Sequence, residues 1–266
     1  MDLELEGKTA IVTGGSRGIG KAIARELAGE GVNVVIAARG IDALKETAGE
    51  IAAETGSKIV PISVDTGNGN AVEKMVSEAV QKLNRIDILV NNAAKPGGQG
   101  PVPSLDEISE DLFWEDMNVK VLGYLRCIQA TAPYMKKQGW GRIINISGMA
   151  ARSTGSTIGS IRNVSISAMC KNLAEELGPH GINVTVVHPG MTRTEATAMV
   201  IENRARLEGV SPSEIENRMA QGNSVRRVID AREIAYIVAF LASPRSIAIN
   251  GDAVAAGGGP GTAIHY

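Results

Sequence analysis

The chain has 266 residues, 44% of them apolar and 21% charged, and a formal net charge of −2. This is ordinary globular usage, and near-neutral charge with scattered Lys and Arg gives neither nucleic acid nor an anionic membrane a footing as partner. Two cysteines and three histidines, none at ligand spacing, argue against a disulfide framework and against a metal site.

Cys127 and Cys170 read as small buried hydrophobes. The N-terminal MDLELEG has no leader pattern, and no apolar run reaches the roughly 18 residues a membrane span needs. A cytoplasmic location is the resulting expectation.

Taken in chain order, short β-branched runs alternate with amphipathic stretches. Strands are predicted at Thr9–Thr13, Asn33–Ala37, Lys58–Val64, Ile86–Val90, Arg142–Ile146 and Asn183–Val187, with a last one at Gly251–Ala255. Helices are predicted at Lys21–Gly29, Ile41–Glu54, Ala71–Leu83, Leu112–Lys137, Val164–Leu177 and Ala231–Leu241. The alternation implies βαβ crossovers and a parallel sheet covered on both faces. The runs are apolar without strict alternation, as strands buried on both sides are. A Rossmann-type doubly wound sheet of about seven strands is expected, in a single domain over residues 1–266. Gly97–Pro103 reads as a loop, and residues 191–224 as a polar, helix-prone insertion placed like a lid.

The strongest motif is Thr13-Gly14-Gly15-Ser16-Arg17-Gly18-Ile19-Gly20, which follows a strand directly and opens a helix. Glycine permits a tight turn and close backbone approach to a pyrophosphate, whose charge the free helix N–H groups meet. The second strand ends Ala37-Ala38-Arg39, without the carboxylate that accepts the ribose hydroxyls of NAD(H). Arg39 and Arg17 supply two guanidinium groups suited to a 2′-phosphate. NADP(H) is therefore expected ahead of NAD(H).

The glycine spacing, Asn91-Asn92-Ala93 after the fourth strand, Met117-Asn118-Val119, Gly141–Ser147 and Pro189-Gly190 together resemble the short-chain dehydrogenase/reductases. The C-terminal Asn250-Gly251-Asp252 and Gly257-Gly258-Gly259 fit as well, so the resemblance spans essentially the whole chain. It implies that Asp65 holds the adenine amino group. By the same likeness Asn91 and Ala93 form the turn beside the adenine ribose, and Pro189, Gly190 and Thr194 meet the nicotinamide end. It also implies a homotetramer or homodimer built partly on the long helices.

The same family reduces carbonyls with a Ser and a Tyr-x-x-x-Lys pair on one helix face, supported by an Asn on the long helix. Asn118 matches the Asn. No Tyr lies between Tyr134 and Tyr236, and no Lys between Lys137 and Lys171. Counting back from Lys171–Gly190 puts Gly159 at the Tyr position and Asn163 at the Lys position. Counting along GRIINISG puts Gly148, beside Ser147, at the Ser position. The Ser167–Lys171 pair sits two helical turns too late.

Other groups near the expected cleft are Ser147, a candidate substrate hydrogen bond, and Lys95 and His188, candidate proton donors. A water held by Asn118 and Asn163 is a further candidate. Arg152 and Arg162 stay protonated and are fit only to bind a substrate anion. Three readings remain open at this point. They are an oxidoreductase with an unusual proton donor, a cofactor-binding protein without redox turnover, and a non-redox enzyme reusing the cleft.

Overall fold

A computed structural model describes residues 1–94 and 102–261. Lys95 and the first part of the Gly97–Pro103 loop lie outside the described residues.

Seven parallel strands form the main sheet in the order β3-β2-β1-β4-β5-β6-β9. Their bounds are β1 Thr9–Thr13, β2 Asn33–Ala38, β3 Ile59–Ser63, β4 Ile88–Asn91, β5 Gly141–Ile146, β6 Ile182–Pro189 and β9 Ala253–Ala256. The predicted doubly wound sheet is thus observed. Helices α1 (Gly18–Gly29), α2 (Ile41–Thr55) and α9 (Ala231–Ala242) cover one face. Helices α3 (Gly69–Leu83), α5 (Gly123–Gln138) and α6 (Thr157–Leu177) cover the other.

Side-chain alternation explains the two layers. In β2, Val34 and Ile36 pack with Ile23, Leu27, Leu44 and Val238. Val35 and Ala37 pack with Val72, Val76, Cys127 and Ile166 on the opposite side. Each such Val, Leu or Ile side chain contributes about 1.5–3 kcal/mol on burial. The register runs Ile11↔Val35 toward β2 and Ile11↔Leu89 toward β4. The strand order therefore reverses at β1, and a doubly wound sheet opens a crevice at the carboxyl ends of β1 and β4.

The sequence reading is corrected in two helices. The predicted helix Leu112–Lys137 is two α-helices, α4 (Glu110–Met117) and α5, joined by a π turn over Asn118–Leu122. Helix α6 begins at Thr157 rather than Val164, because the Ser156 hydroxyl accepts from Gly159 N and starts the helix. Such an N-cap is worth about 1 kcal/mol, which offsets much of the poor helix propensity of Gly159 and Ser160.

Residues 191–224 fold as helices α7 (Thr197–Glu208) and α8 (Pro212–Gln221). They have a small core of their own made by Ile201, Ala205, Ile215, Met219 and Val228. The two-residue strands β7 (Thr192–Arg193) and β8 (Ile229–Asp230) pair beside them. No helix among the described residues is long and apolar enough to cross a membrane.

Candidate functional site

The turn from β1 into α1 is built around missing side chains. Gly14 and Gly18 have φ of +66° and +57°, a region that L-residues rarely adopt. A Cβ on Gly20 would stand 2.1 Å from the Gly14 carbonyl oxygen and 2.5 Å from Asn92 Nδ2. The turn is tied to the end of β4. Asn92 Nδ2 donates to the carbonyls of Thr13 and Gly14, each at 3.2 Å. The Thr13 hydroxyl accepts from Asn92 N at 3.0 Å and Ala93 N at 3.1 Å.

Arg17 occupies the N-cap and makes no side-chain capping bond. The N-terminus of α1 is thus the place in the turn where an anion such as a dinucleotide pyrophosphate would be met. Ser16 contributes its carbonyl to Thr47 Oγ1, and Ile19 packs onto the core. Arg17 and Arg39 are both exposed, Arg17 in the turn after β1 and Arg39 directly after β2.

Asn92 is the residue that sequence reasoning passed over in this half of the site, although it stands inside the quoted motif. Asn91 is the last residue of β4. Its side chain is buried and donates to Asn145 Oδ1 at 2.9 Å, so it braces β4 against β5. Asp65 accepts from Gly67 N at 2.9 Å.

At the other end, Gly190 lies against Gly257, where a Cβ would meet a backbone carbon at 2.8 Å, and Pro189 pairs with Ala256 at the end of the sheet. Thr194 N donates to Thr197 Oγ1, and its methyl group faces Gly18, 3.5 Å from where a Cβ would stand. Next to it, the Glu195 carboxylate accepts from Gly18 N at 2.9 Å. A carboxylate on a helix N-terminus gains about 0.3–1 kcal/mol, and it opposes a phosphate arriving at the same amides. A Glu195→Ala protein is expected to bind dinucleotide about 2–5-fold more tightly by isothermal titration; weaker binding would show the contact helps the cofactor.

The second half of the site centres on Lys120, which sequence reasoning missed. The π turn aims this side chain into the protein, where it is 3% exposed. Its ammonium donates to the Ser147 carbonyl at 2.9 Å and to Asn163 Oδ1 at 3.1 Å. Burial, with Arg162 nearby, pushes Lys120 down to about 7, against the weaker opposing pull of Asp116. A signal existed in the sequence. Lys120, Tyr124, Cys127, Ile128, Thr131 and Met135 follow helical spacing and are all buried, so one lysine interrupts an apolar stripe.

Asn118 stands two residues earlier on another face. Its Nδ2 donates to Gly67 O and its Oδ1 accepts from Arg126. The Ser147 hydroxyl donates to Asn163 O at 3.1 Å. Arg162 forms a two-pronged ion pair with Asp116 at 2.7 and 2.8 Å.

His188 is 1% exposed, with Gly148 N donating to Nδ1 and the Ser167 hydroxyl against Nε2, both at 3.4 Å. Burial, with Arg152 and Lys120, pushes it down to about 4. It is packed at the end of β6 and neutral at pH 7. Lys171 is exposed and paired with Glu175, away from Ser167. The thiols of Cys127 and Cys170 are pushed up to about 12 by burial, in keeping with their reading as small hydrophobes.

A parallel doubly wound sheet with a glycine cradle at its switch point, and polar side chains gathered at the ends of β5 and β6, defines a dinucleotide-binding oxidoreductase-type site. Over residues 14–260 the chain matches the family model described as Enoyl-(Acyl carrier protein) reductase. It is 36% identical over 94% of its length to "Short-chain reductase protein NovJ" of Streptomyces niveus, covering 92% of that protein. Identity is 30% to "NADPH-dependent reductase BacG" of Bacillus subtilis, covering 95% of this chain and 97% of that one. Its fold superposes with a TM-score of 0.93, at 26% identity over 99% of this chain and all of the other, on L-sorbose reductase from Gluconobacter frateurii complexed with NADPH and L-sorbose. The chain belongs to the short-chain dehydrogenase/reductase family.

Proposed function

We propose that this protein is an NADP(H)-dependent oxidoreductase that reduces a small carbonyl compound with a proton donor other than the Tyr of its family. The observation that carries the cofactor half is the cradle. Gly14 and Gly20 let the turn close against Asn92 and the Gly14 carbonyl where any Cβ would clash, and Asn92 ties the turn in that shape. Arg17 and Arg39 favour the 2′-phosphate, and relatives with NADPH in their names support the same reading. When bound, the reduced nicotinamide supplies the hydride. The chain's own residues fix its pyrophosphate at the α1 amides and its nicotinamide end against Pro189, Gly190 and Thr194.

The substrate half lies over Ser147, Gly148, Gly159 and Asn163, where the family's Ser, Tyr and Lys are replaced by Gly148, Gly159 and Asn163. Residues 191–224 act as the lid of a single domain. A cavity of about 310 Å³ beside them, lined by Met191, Ile215, Met219, Asn223 and Gly257 among others, suits a small molecule. Leu122, Tyr134, Ile161 and Val164 are exposed on and beside α5 and α6, a surface fit to pack against other copies in a homodimer or homotetramer.

The test is deuteride transfer from 4-deuterated NADPH to a panel of small ketones, aldehydes and enones, followed by mass spectrometry. Deuterium in a product is expected. Tight NADPH binding with none in any product would assign the chain to cofactor binding without redox turnover.

A further inference from the structure

We infer that Lys120 is the proton source of this site, a lysine that reaches from the long helix to the Asn standing at the family's Lys position on α6. The inference rests on the reductase reading above and specifies its proton donor. On α6, position 163 is an Asn where the family's Lys stands. From the helix opposite, an ammonium reaches that Asn's Oδ1 at 3.1 Å and the Ser147 carbonyl at 2.9 Å.

Three observations converge. The first is the π turn at Asn118–Leu122, a departure from α geometry that is frequent at functional sites. It sets Lys120 facing the sheet, whereas Asn118 is engaged by Gly67 and Arg126.

The second is chemistry without a structural return. A buried lysine is costly unless paired with an opposite charge. Among the described residues the acceptors of Lys120 are neutral, Ser147 O and Asn163 Oδ1, while the nearby carboxylate, Asp116, is taken by Arg162. The third is the missing side chains. Gly148 and Gly159 put no donor in the space beside Asn163, whose Nδ2 stands 3.1 Å from where a Gly148 Cβ would be. No hydroxyl, phenol or titrating imidazole of those positions competes.

The charged and titratable groups around Lys120 are Arg162 on α6, Asp116 on α4, His188 on β6 and Tyr124 on α5. His188 stays neutral at neutral pH, and burial holds the Tyr124 phenol well above its ordinary range with its hydroxyl donating to Ile146 O at 2.8 Å. Arg162 and Asp116 neutralise one another. Lys120 is the group left to titrate near neutrality, since burial brings it to about 7.

The step balances as follows. Hydride, a proton with two electrons, passes from the reduced nicotinamide to the carbonyl carbon, and the C=O π pair moves onto oxygen. That oxygen takes one proton, through a bridging water, from Lys120 Nζ, which ends as a neutral amine and is reprotonated from solvent.

The test combines one measurement on the wild-type protein with two variants. Lysine labelled with ¹³C at Cε is titrated by NMR in the cofactor-free protein, and one resonance, absent from Lys120→Met, is expected to titrate near pH 7. With a carbonyl compound that accepts deuteride, reduction is expected to fall about tenfold per pH unit above 7. Lys120→Met is expected to lower kcat about 10²–10⁴-fold while NADPH still binds.

Lys120→Arg keeps the charge but releases no proton in this range, so it too stays slow, with a flat profile. Restoration of the wild-type rate and profile by Arg would show a merely structural role and overturn the inference. A wild-type protein in which every lysine titrates above about 9 would overturn it as well. A protein that passes deuteride to nothing, yet shows the near-neutral lysine, refutes the reductase reading instead.

Discussion

Replacing Gly20 by Val is expected to raise the dissociation constant for NADPH at least about 100-fold while leaving the fold intact. A Cβ there would stand 2.1 Å from the Gly14 carbonyl oxygen and 2.5 Å from Asn92 Nδ2. Neither is the free end of a flexible chain. One is backbone, and the other is held by the carbonyls of Thr13 and Gly14. The turn must open, and the α1 amides move off the line that meets a diphosphate.

Losing one or two charge-assisted hydrogen bonds at about 1.5–3 kcal/mol each accounts for the expected fold-change. Gly29 closes the same helix with nothing within 4 Å of a Cβ. Gly29→Ala is the control, expected to bind NADPH like the wild type and to be more stable by up to about 1 kcal/mol. Isothermal titration of both variants decides the matter, with far-UV circular dichroism as the folding check. Unchanged affinity in Gly20→Val would show that the cradle does not hold the dinucleotide.

The cradle was legible because its grammar is local: an apolar strand, glycines at fixed spacing, then a helix, all within a few residues. The sheet was legible for a related reason, since alternation of strands and helices leaves few ways to cover both faces. Lys120 was not. The family likeness points to Asn118, and a reading in α-helical turns has no means of seeing the extra residue that the π turn inserts. Only the lysine within an apolar stripe betrays it.

Glu195 on Gly18 and Asn91 on Asn145 were illegible for another reason. Each contact spans many tens of residues, and it is set by tertiary packing rather than by any local pattern. The early start of α6 shows the same thing in reverse. The Ser156 cap and the packing of Ile158 outweigh the glycine and serines that read as loop.

Removing both Arg17 and Arg39 by alanine substitution is expected to weaken NADPH binding by about 10²–10⁴-fold and to leave NADH within a few-fold of its original affinity. The argument begins at the end of β2, where Ala38 occupies the place at which NAD-selective sites hold a carboxylate. Ala38 sets no carboxylate against a 2′-phosphate, and the two arginines are the groups expected to hold it. Both side chains are exposed, so the folding cost of removing them is small.

Each guanidinium that grips the phosphate contributes about 1.5–3 kcal/mol, or roughly 10–150-fold, and the two act on one group, so their effects are not strictly additive. NADH lacks the phosphate and reports every other contact unchanged. Parallel loss for both cofactors would mean that the arginines act on the shared diphosphate through Arg17 at the α1 N-cap. Loss for NADPH alone in Arg39→Ala, with Arg17→Ala affecting both, would divide the pair into one residue that selects and one that merely attracts.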